Sequence, residues 1–317
     1  MPHAVIDVNR AFRVDRRLEV ADDVILLTLV PTTDEPVPAW EAGSHLEVLM
    51  PGGPARQYSL CGPAGAPDLT IAVLREPSGV VSNWLHDRVE EGSTLHISSV
   101  RNHFELVRDD RYVFIAGGIG ITPILPMIEA AERAGAQWSL HYGGRSRRSM
   151  AFVESLGPYG DRVDVVPQDQ RGLLDLHGIL PADMPRASVY CCGPEPLVVA
   201  VEEVAARRPQ VSLHVERFKP RVVELAGPER AFSVHCALSE VTLQVPADRS
   251  ILEVLLDADI DVPSSCSEGT CGTCETYVLD GEPDHRDSVL TDDERAGNRT
   301  MMVCVSRSRT DSLTLDL

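Results

Sequence analysis

The stretch Cys266-Ser267-Glu268-Gly269-Thr270-Cys271-Gly272-Thr273-Cys274 sets three cysteines at C-x4-C-x2-C spacing, and Cys304 follows after 29 intervening residues. Four thiolates in this pattern suit two irons, because one tight loop presents three of them and a distant segment the fourth. Gly269 and Gly272 let the loop turn sharply and bring main-chain amides toward the sulfurs. The same thiolates are also the donor set of a structural zinc site, although zinc sites more often pair two C-x2-C hairpins. Cys266, Cys271, Cys274 and Cys304 are therefore the candidate metal ligands, with a 2Fe–2S cluster as the expected occupant.

The pattern around this loop reads as one small domain, residues 231–317. Phe232–Leu238 and Val241–Val245 look like a hairpin, Ser250–Ala258 like a helix, and Met301–Val305 like a strand bearing the fourth cysteine. Lys219-Pro220 and Gly227-Pro228, just upstream, read as a linker. The other four cysteines, Cys61, Cys191, Cys192 and Cys236, have no spacing partners, and a disulfide framework is a poor reading for a cytosolic chain of this size.

Further upstream, residues 106–222 alternate strand and helix patterns, which argues for an α/β domain with a parallel sheet covered on both faces. The strand candidates are Tyr112–Ala116, Ser139–Tyr142, Val163–Val166, Val189–Cys192 and Val211–Val215; Thr122–Ala134 and Glu195–Arg207 read as helices. Ala116-Gly117-Gly118-Ile119-Gly120-Ile121-Thr122-Pro123 joins the first strand to the first helix. A glycine turn feeding a helix N-terminus offers main-chain N–H groups and a partial positive charge to a phosphate. Residues 1–105 instead show short strands at Val24–Val30, Leu46–Met50, Gln57–Leu60, Leu69–Leu74 and Thr94–Ser98, punctuated by Pro/Gly clusters, which suggests an antiparallel β-barrel. The chain is thus read as multidomain.

Four motifs together carry a resemblance. The glycine turn, with Val189-Tyr190-Cys191-Cys192-Gly193-Pro194-Glu195-Pro196-Leu197, resembles the nucleotide domain of the ferredoxin–NADP reductase superfamily. Arg56-Gln57-Tyr58-Ser59-Leu60 is similar to that superfamily's R-x-Y-S-L flavin motif, and the chain from Phe232 onward resembles a plant-type ferredoxin, a β-grasp fold. The order flavin barrel, nucleotide domain, C-terminal ferredoxin resembles the phthalate dioxygenase reductase family across essentially the whole chain.

The resemblance implies FMN in the barrel and NADH, with NADPH possible, in the α/β domain. It implies that Arg56 meets the flavin phosphate, that Tyr58, Ser59 and Leu60 line the ring, and that Ala72, Val73 and Leu74 extend the site. Gly79, Val80, Val81 and Ser82, ahead of a helical Asn83–Asp87, match the segment that takes the flavin phosphate; the family often has Gly-Gly-Ser where this chain has Val80-Val81-Ser82. Gly118, Gly120 and Thr122 would take the pyrophosphate, Cys192 would abut the nicotinamide, and Phe218 matches an aromatic placed over the flavin. Arg145 and Ser146, in the strand-end run Arg145-Ser146-Arg147-Arg148, lie where the adenosine ribose is expected.

The implied activity is that of an oxygenase-system reductase. A hydride passes from NADH to FMN, and single electrons pass through the 2Fe–2S cluster to a terminal oxygenase. A Rieske non-haem-iron oxygenase is the expected acceptor; a haem monooxygenase, or an electron-carrier module without hydride transfer, is the alternative. No side-chain acid or base is expected. The formal charge of −19 disfavours nucleic acid, and residues 231–317 carry 17 acidic against 6 basic residues, which fits a docking face for a basic partner. No long apolar run and no secretory leader are legible, so the expected location is the cytoplasm, away from membranes.

Overall fold

The computed structural model describes residues 6–37, 39–221 and 229–317. Gly227-Pro228 of the expected linker lies outside the described residues. By its contacts the chain divides into two compact units, with the division between Glu216 and Arg217.

The first unit opens with six antiparallel strands: β1 (Ile6–Ala21), β2 (Val24–Pro31), β3 (Ser44–Leu49), β4 (Ala55–Ser59), β5 (Leu69–Leu74) and β6 (Thr94–Asn102), in the order β4-β3-β6-β1-β2-β5. A bridge from Leu60 to Ile71 joins the two ends, and the Cys61 N–H donates to Thr70 O at 2.9 Å beside it. The sheet therefore closes into the expected barrel around Phe12, Val14, Leu27, Leu46, Ile71 and Ile97. Burying each such side chain contributes about 1.5–3 kcal/mol. β1, the longest strand, is absent from the sequence reading. Phe12 and Val14 alternate with exposed Arg13 and Asp15, but register shifts between Val14 and Arg16 and again near Glu19 break the period of two. Helix α1 (Val80–Arg88) follows β5 and starts three residues before the expected Asn83. Valines are poor helix formers, but burying Val81 and Leu85 in the barrel core outweighs that preference.

Five strands then form a parallel sheet: β7 (Arg111–Gly117), β8 (Gln137–Gly144), β9 (Val163–Pro167), β10 (Ala187–Cys192) and β11 (Val211–Glu216), in the order β11-β10-β7-β8-β9. Helix α2 (Ile121–Ala134) packs with Phe114 and Tyr142 on one face, and the helix Glu195–Ala205 packs with Ile115 and Val189 on the other. The expected boundary near residue 105 separates two sheets but not two compact units. Phe104, 3% exposed, packs edge-on against Tyr190 at 5.4 Å, and the Tyr190 and Tyr112 hydroxyls both bond the connecting main chain at Val107.

The second unit is a mixed α+β domain of the expected β-grasp kind. Strands β12 (Phe232–Cys236), β13 (Val241–Val245), β14 (Glu275–Asp280), β15 (Pro283–Asp284), β16 (Thr300–Met302), β17 (Arg307–Ser308) and β18 (Ser312–Leu315) make a sheet in the order β13-β12-β18-β14-β16 and a β15–β17 pair. The helix Ile251–Asp257 packs on the same core, and Ser250 caps it with a capping box to Glu253. The expected strand Met301–Val305 ends at Met302, so Cys304 lies in the turn beyond it. That turn is stabilised by Val305 and Ser306 N–H groups donating back to Met302 O. Among the described residues, no helix is long and apolar enough to cross a membrane.

Candidate functional site

The barrel presents the first group of residues. Arg56, Tyr58 and Ser59 lie on β4, paired with Val48, Leu46 and His45 of β3. The Leu60–Ile71 bridge brings this motif beside Ala72, Val73 and Leu74 of β5, so the two halves of the expected flavin site are adjacent. The Arg56 guanidinium donates to Ala55 O at 3.0 Å. Burial pushes the Tyr58 phenol up, and the nearby Arg56 charge opposes that. Leu60, Val73 and Val81 point into the barrel core, which leaves them only main-chain groups to offer a ligand.

The N-terminal turn of α1 follows β5 closely. Gly79 is extended (φ −80°, ψ 111°), and the first helical bond runs from Asn83 N–H to Gly79 O, so the N–H groups of Val80, Val81 and Ser82 head the helix. The Ser82 hydroxyl donates to Gly79 O and accepts from Glu76 N–H, both at 3.3 Å. It closes the turn, and this segment's offer to a phosphate is therefore main-chain N–H. A helix N-terminus with a cation on the neighbouring strand suits a phosphate monoester.

The nucleotide motifs meet at the C-terminal ends of β7 and β10, which are neighbours in the sheet (Ala116 opposite Cys192). The connection after β7 runs toward β8 and the one after β10 toward β11, so the strand order changes direction there. Crevices of this kind bind nucleotides. A Cβ on Gly120 would stand 2.2 Å from Cys192 O and 2.8 Å from Gly193 N, so only glycine lets the two turns touch. Thr122, 2% exposed, uses its hydroxyl inside the turn, donating to Ile119 O at 2.9 Å. Arg145 and Ser146 follow β8 at the same end of the sheet. Ser146 accepts within a capping box with Ser149, and Arg145 is exposed. Arg147 and Arg148 form ion pairs with Glu154 and Asp22. Phe218 lies just past the end of the first unit and is 42% exposed.

One residue beside the nucleotide motifs was missed from the sequence. Glu216 ends β11 directly opposite Cys192 in the parallel register, and the Cys192 thiol donates to its Oε2 at 3.8 Å. Burial pushes the Glu216 carboxyl up to about 8, while the thiol bond pulls the other way. Burial and the Glu216 charge hold the Cys192 thiol well above its ordinary range. The only signal in the sequence was position, a carboxylate at the end of the strand expected beside Val189–Cys192.

The four expected ligands are all buried, between 2% and 7% exposed. Their thiols face one another in two pairs, Cys266 with Cys271 and Cys274 with Cys304. Within the first pair, the bond from Cys271 drives Cys266 down and holds the proton on Cys271. Within the second, Cys304 is driven down and Cys274 up. The Glu268 N–H donates to the Cys266 sulfur at 3.3 Å, and the Thr273 hydroxyl lies 3.0 Å from the Cys271 sulfur. Two thiol pairs with main-chain donors fit two irons, each taking two thiolates. Among the described residues, no three His, Cys, Asp or Glu converge on a single-ion position.

Residues 234–309 match the 2Fe-2S iron-sulfur cluster binding domain family. The chain is 42% identical over 301 residues to the phenoxybenzoate dioxygenase subunit beta of Ectopseudomonas oleovorans, covering 94% of each. It superposes on an intact type IV self-sufficient cytochrome P450 monooxygenase with TM-score 0.90 and 45% identity. That match takes in 97% of this chain and 41% of the other, so the chain spans about two fifths of that protein. It also superposes on phthalate dioxygenase reductase, described as a modular structure for electron transfer from pyridine nucleotides to 2Fe-2S. There the TM-score is 0.70 and the identity 35%, over 97% of this chain and 98% of the other.

Proposed function

The chain belongs to the phthalate dioxygenase reductase family, and from that premise we propose that its electron acceptor is a Rieske non-haem-iron oxygenase. It is an oxidoreductase that takes electrons from a pyridine nucleotide and passes them by way of FMN to a 2Fe–2S cluster, for a terminal oxygenase. When bound, FMN supplies a hydride acceptor that releases electrons singly, and the cluster supplies a one-electron carrier.

The chain's own residues do the positioning. Arg56 and the N–H groups of Val80, Val81 and Ser82 hold the FMN phosphate, with Tyr58, Ser59 and the β5 segment Ala72–Leu74 along the ring. The turn Gly118–Thr122 holds the pyrophosphate, and Cys192, backed by Glu216, sets the nicotinamide end. Arg145 and Ser146 take the adenosine ribose, and Phe218 covers the flavin. Arg147 and Arg148 already face carboxylates, which favours NADH over a nucleotide that needs a cation cluster for its 2′-phosphate. Cys266, Cys271, Cys274 and Cys304 ligate the cluster, and the same reading puts the protein in the cytoplasm.

The observation that carries this reading is the two buried thiol pairs in a chain whose glycine turn and Cys192-Gly193 turn are in contact. The choice of acceptor rests on relatives that serve dioxygenases. A second reading, a haem monooxygenase as acceptor, has a specific support in the 45% identity to part of a self-sufficient P450. Mixing the NADH-reduced protein anaerobically with a phthalate-type dioxygenase and, separately, with a ferric P450 under carbon monoxide distinguishes them. Bleaching of the Rieske centre alone supports the first reading. A carbonyl–haem spectrum without Rieske bleaching replaces it with the second.

A further inference from the structure

Residues 222–228 are flanked by two anchors that rest on one segment of the second unit. On the upstream side the Arg221 N–H donates to the Ser288 hydroxyl at 2.8 Å. On the downstream side the Glu229 carboxylate bonds the Arg286 guanidinium through both oxygens and receives Arg307 Nε at 2.8 Å. Arg286 and Arg307 are 18% and 7% exposed at the side chain. A bidentate pair on a half-buried arginine is far firmer than a surface ion pair.

The segment holding these anchors also braces the cluster-binding main chain. The Ser288 N–H donates to Gly269 O at 2.8 Å, between Cys266 and Cys271. The Arg286 N–H donates to the Ser306 hydroxyl at 3.2 Å, two residues past Cys304. Asp287, 1% exposed, fixes the segment's shape by accepting the Val289 and Leu290 N–H groups at 3.0 and 2.7 Å. A Cβ on Gly269 (φ +70°) would meet Asp287 Cα at 3.2 Å and Val305 Cγ2 at 2.6 Å, so this segment, the cluster loop and the Cys304 turn are in direct contact.

We propose that Arg286–Ser288 is a clasp that fastens both flanks of the linker to the back of the cluster loop, so that the tether between the two units ends at Arg221 and not at Glu229. The proposal rests on the reading above, in which electrons cross from flavin to cluster within one chain. From Glu216, the last residue of the first unit, the chain takes 5 steps to Arg221 and 13 to Glu229. Fully extended, these reach about 17 Å and about 45 Å. A shorter tether raises the effective concentration of one unit at the other. Effective concentration falls roughly as the −3/2 power of tether length, so moving the tether's end from 5 to 13 steps dilutes one unit at the other about fourfold.

Ser288→Ala in the full holoenzyme separates the linker role from the cluster role, because alanine keeps the main-chain N–H to Gly269 and deletes only the hydroxyl that Arg221 uses. Two readouts apply: tryptic cleavage after Arg221, and the stopped-flow rate of flavin-to-cluster transfer after NADH reduction. The expected result is faster cleavage and up to about a fourfold slower transfer, with iron content, cluster potential and flavin reduction by NADH unchanged, and with Ser288→Thr restoring both. Parent-like cleavage and transfer in Ser288→Ala overturn the clasp. So does loss of the cluster or a shifted potential, which would show that the hydroxyl serves the cluster loop itself. Neither result touches the assignment of NADH, FMN and cluster, since those are read separately.

Discussion

Glu216 is the residue whose protonation the fold perturbs most usefully, and Glu216→Gln tests that directly. The native carboxyl is pushed up to about 8 by burial, whereas an unfolded glutamate ionises near its ordinary value. The native state therefore binds the proton more tightly, and stability falls as pH rises between those two values, levelling off above the native one. Each pH unit inside that window is worth up to about 1.4 kcal/mol, so the interval from about pH 6 to about pH 8 carries about 2–3 kcal/mol. Glutamine mimics the protonated form and removes the slope. For a unit of this size that energy corresponds to about 5–10 °C in Tm. The melting of the flavin-bearing unit, followed by the fluorescence of released flavin, should show the Gln variant pulling ahead of the parent with rising pH until the gap saturates. Cys192→Ser, a stronger donor than the thiol, should lower the upper end of that window by about one to two pH units and leave its lower end in place. Parallel melting curves for parent and Gln variant across this range would refute the burial of an ionisable carboxyl at Cys192.

Three further outcomes follow from the site. Arg56→Ala removes the cation from the flavin phosphate, worth about 1.5–3 kcal/mol, and should raise the FMN dissociation constant at least tenfold by equilibrium dialysis. Gly120→Ala forces a Cβ into Cys192 O; it should raise KM for NADH and slow flavin reduction, while the cluster's absorption and iron content stay as in the parent. The 17 acidic residues of 231–317 act over a Debye length of about 8 Å at physiological salt, so Glu268→Lys with Glu275→Lys should slow delivery to a basic oxygenase partner at low salt, with flavin reduction by NADH unchanged in stopped flow.

The sequence made some parts of this molecule easy to read because the signals were local. Leu69–Leu74 is a strand with the bounds its β-branched run suggests, and the C-x4-C-x2-C loop with Cys304 is a pattern of fixed offsets. The parallel strands were legible as apolar runs because both sheet faces are covered. What stayed hidden depends on register and on distant partners. β1 bends at two bulges that scramble its alternation. Val80-Val81-Ser82 looked non-helical until the barrel core claimed Val81. Glu216 matters only because parallel pairing sets it opposite Cys192. Arg286 and Ser288 sit in a charged surface-like run, and their partners Glu229 and Arg221 lie 57 and 67 residues away in sequence.

The route of electrons in this one chain runs from NADH through bound FMN to a 2Fe–2S cluster. Its most direct test is an anaerobic addition of NADH to the purified holoenzyme, with absorption followed through flavin bleaching and samples frozen for EPR. The expected result is that the flavin bleaches first and that the EPR signal of a reduced 2Fe–2S cluster then grows in to about one spin per chain, as one four-thiolate cluster requires. Flavin bleaching with no cluster signal, in protein shown to carry two irons and two labile sulfides, would contradict it.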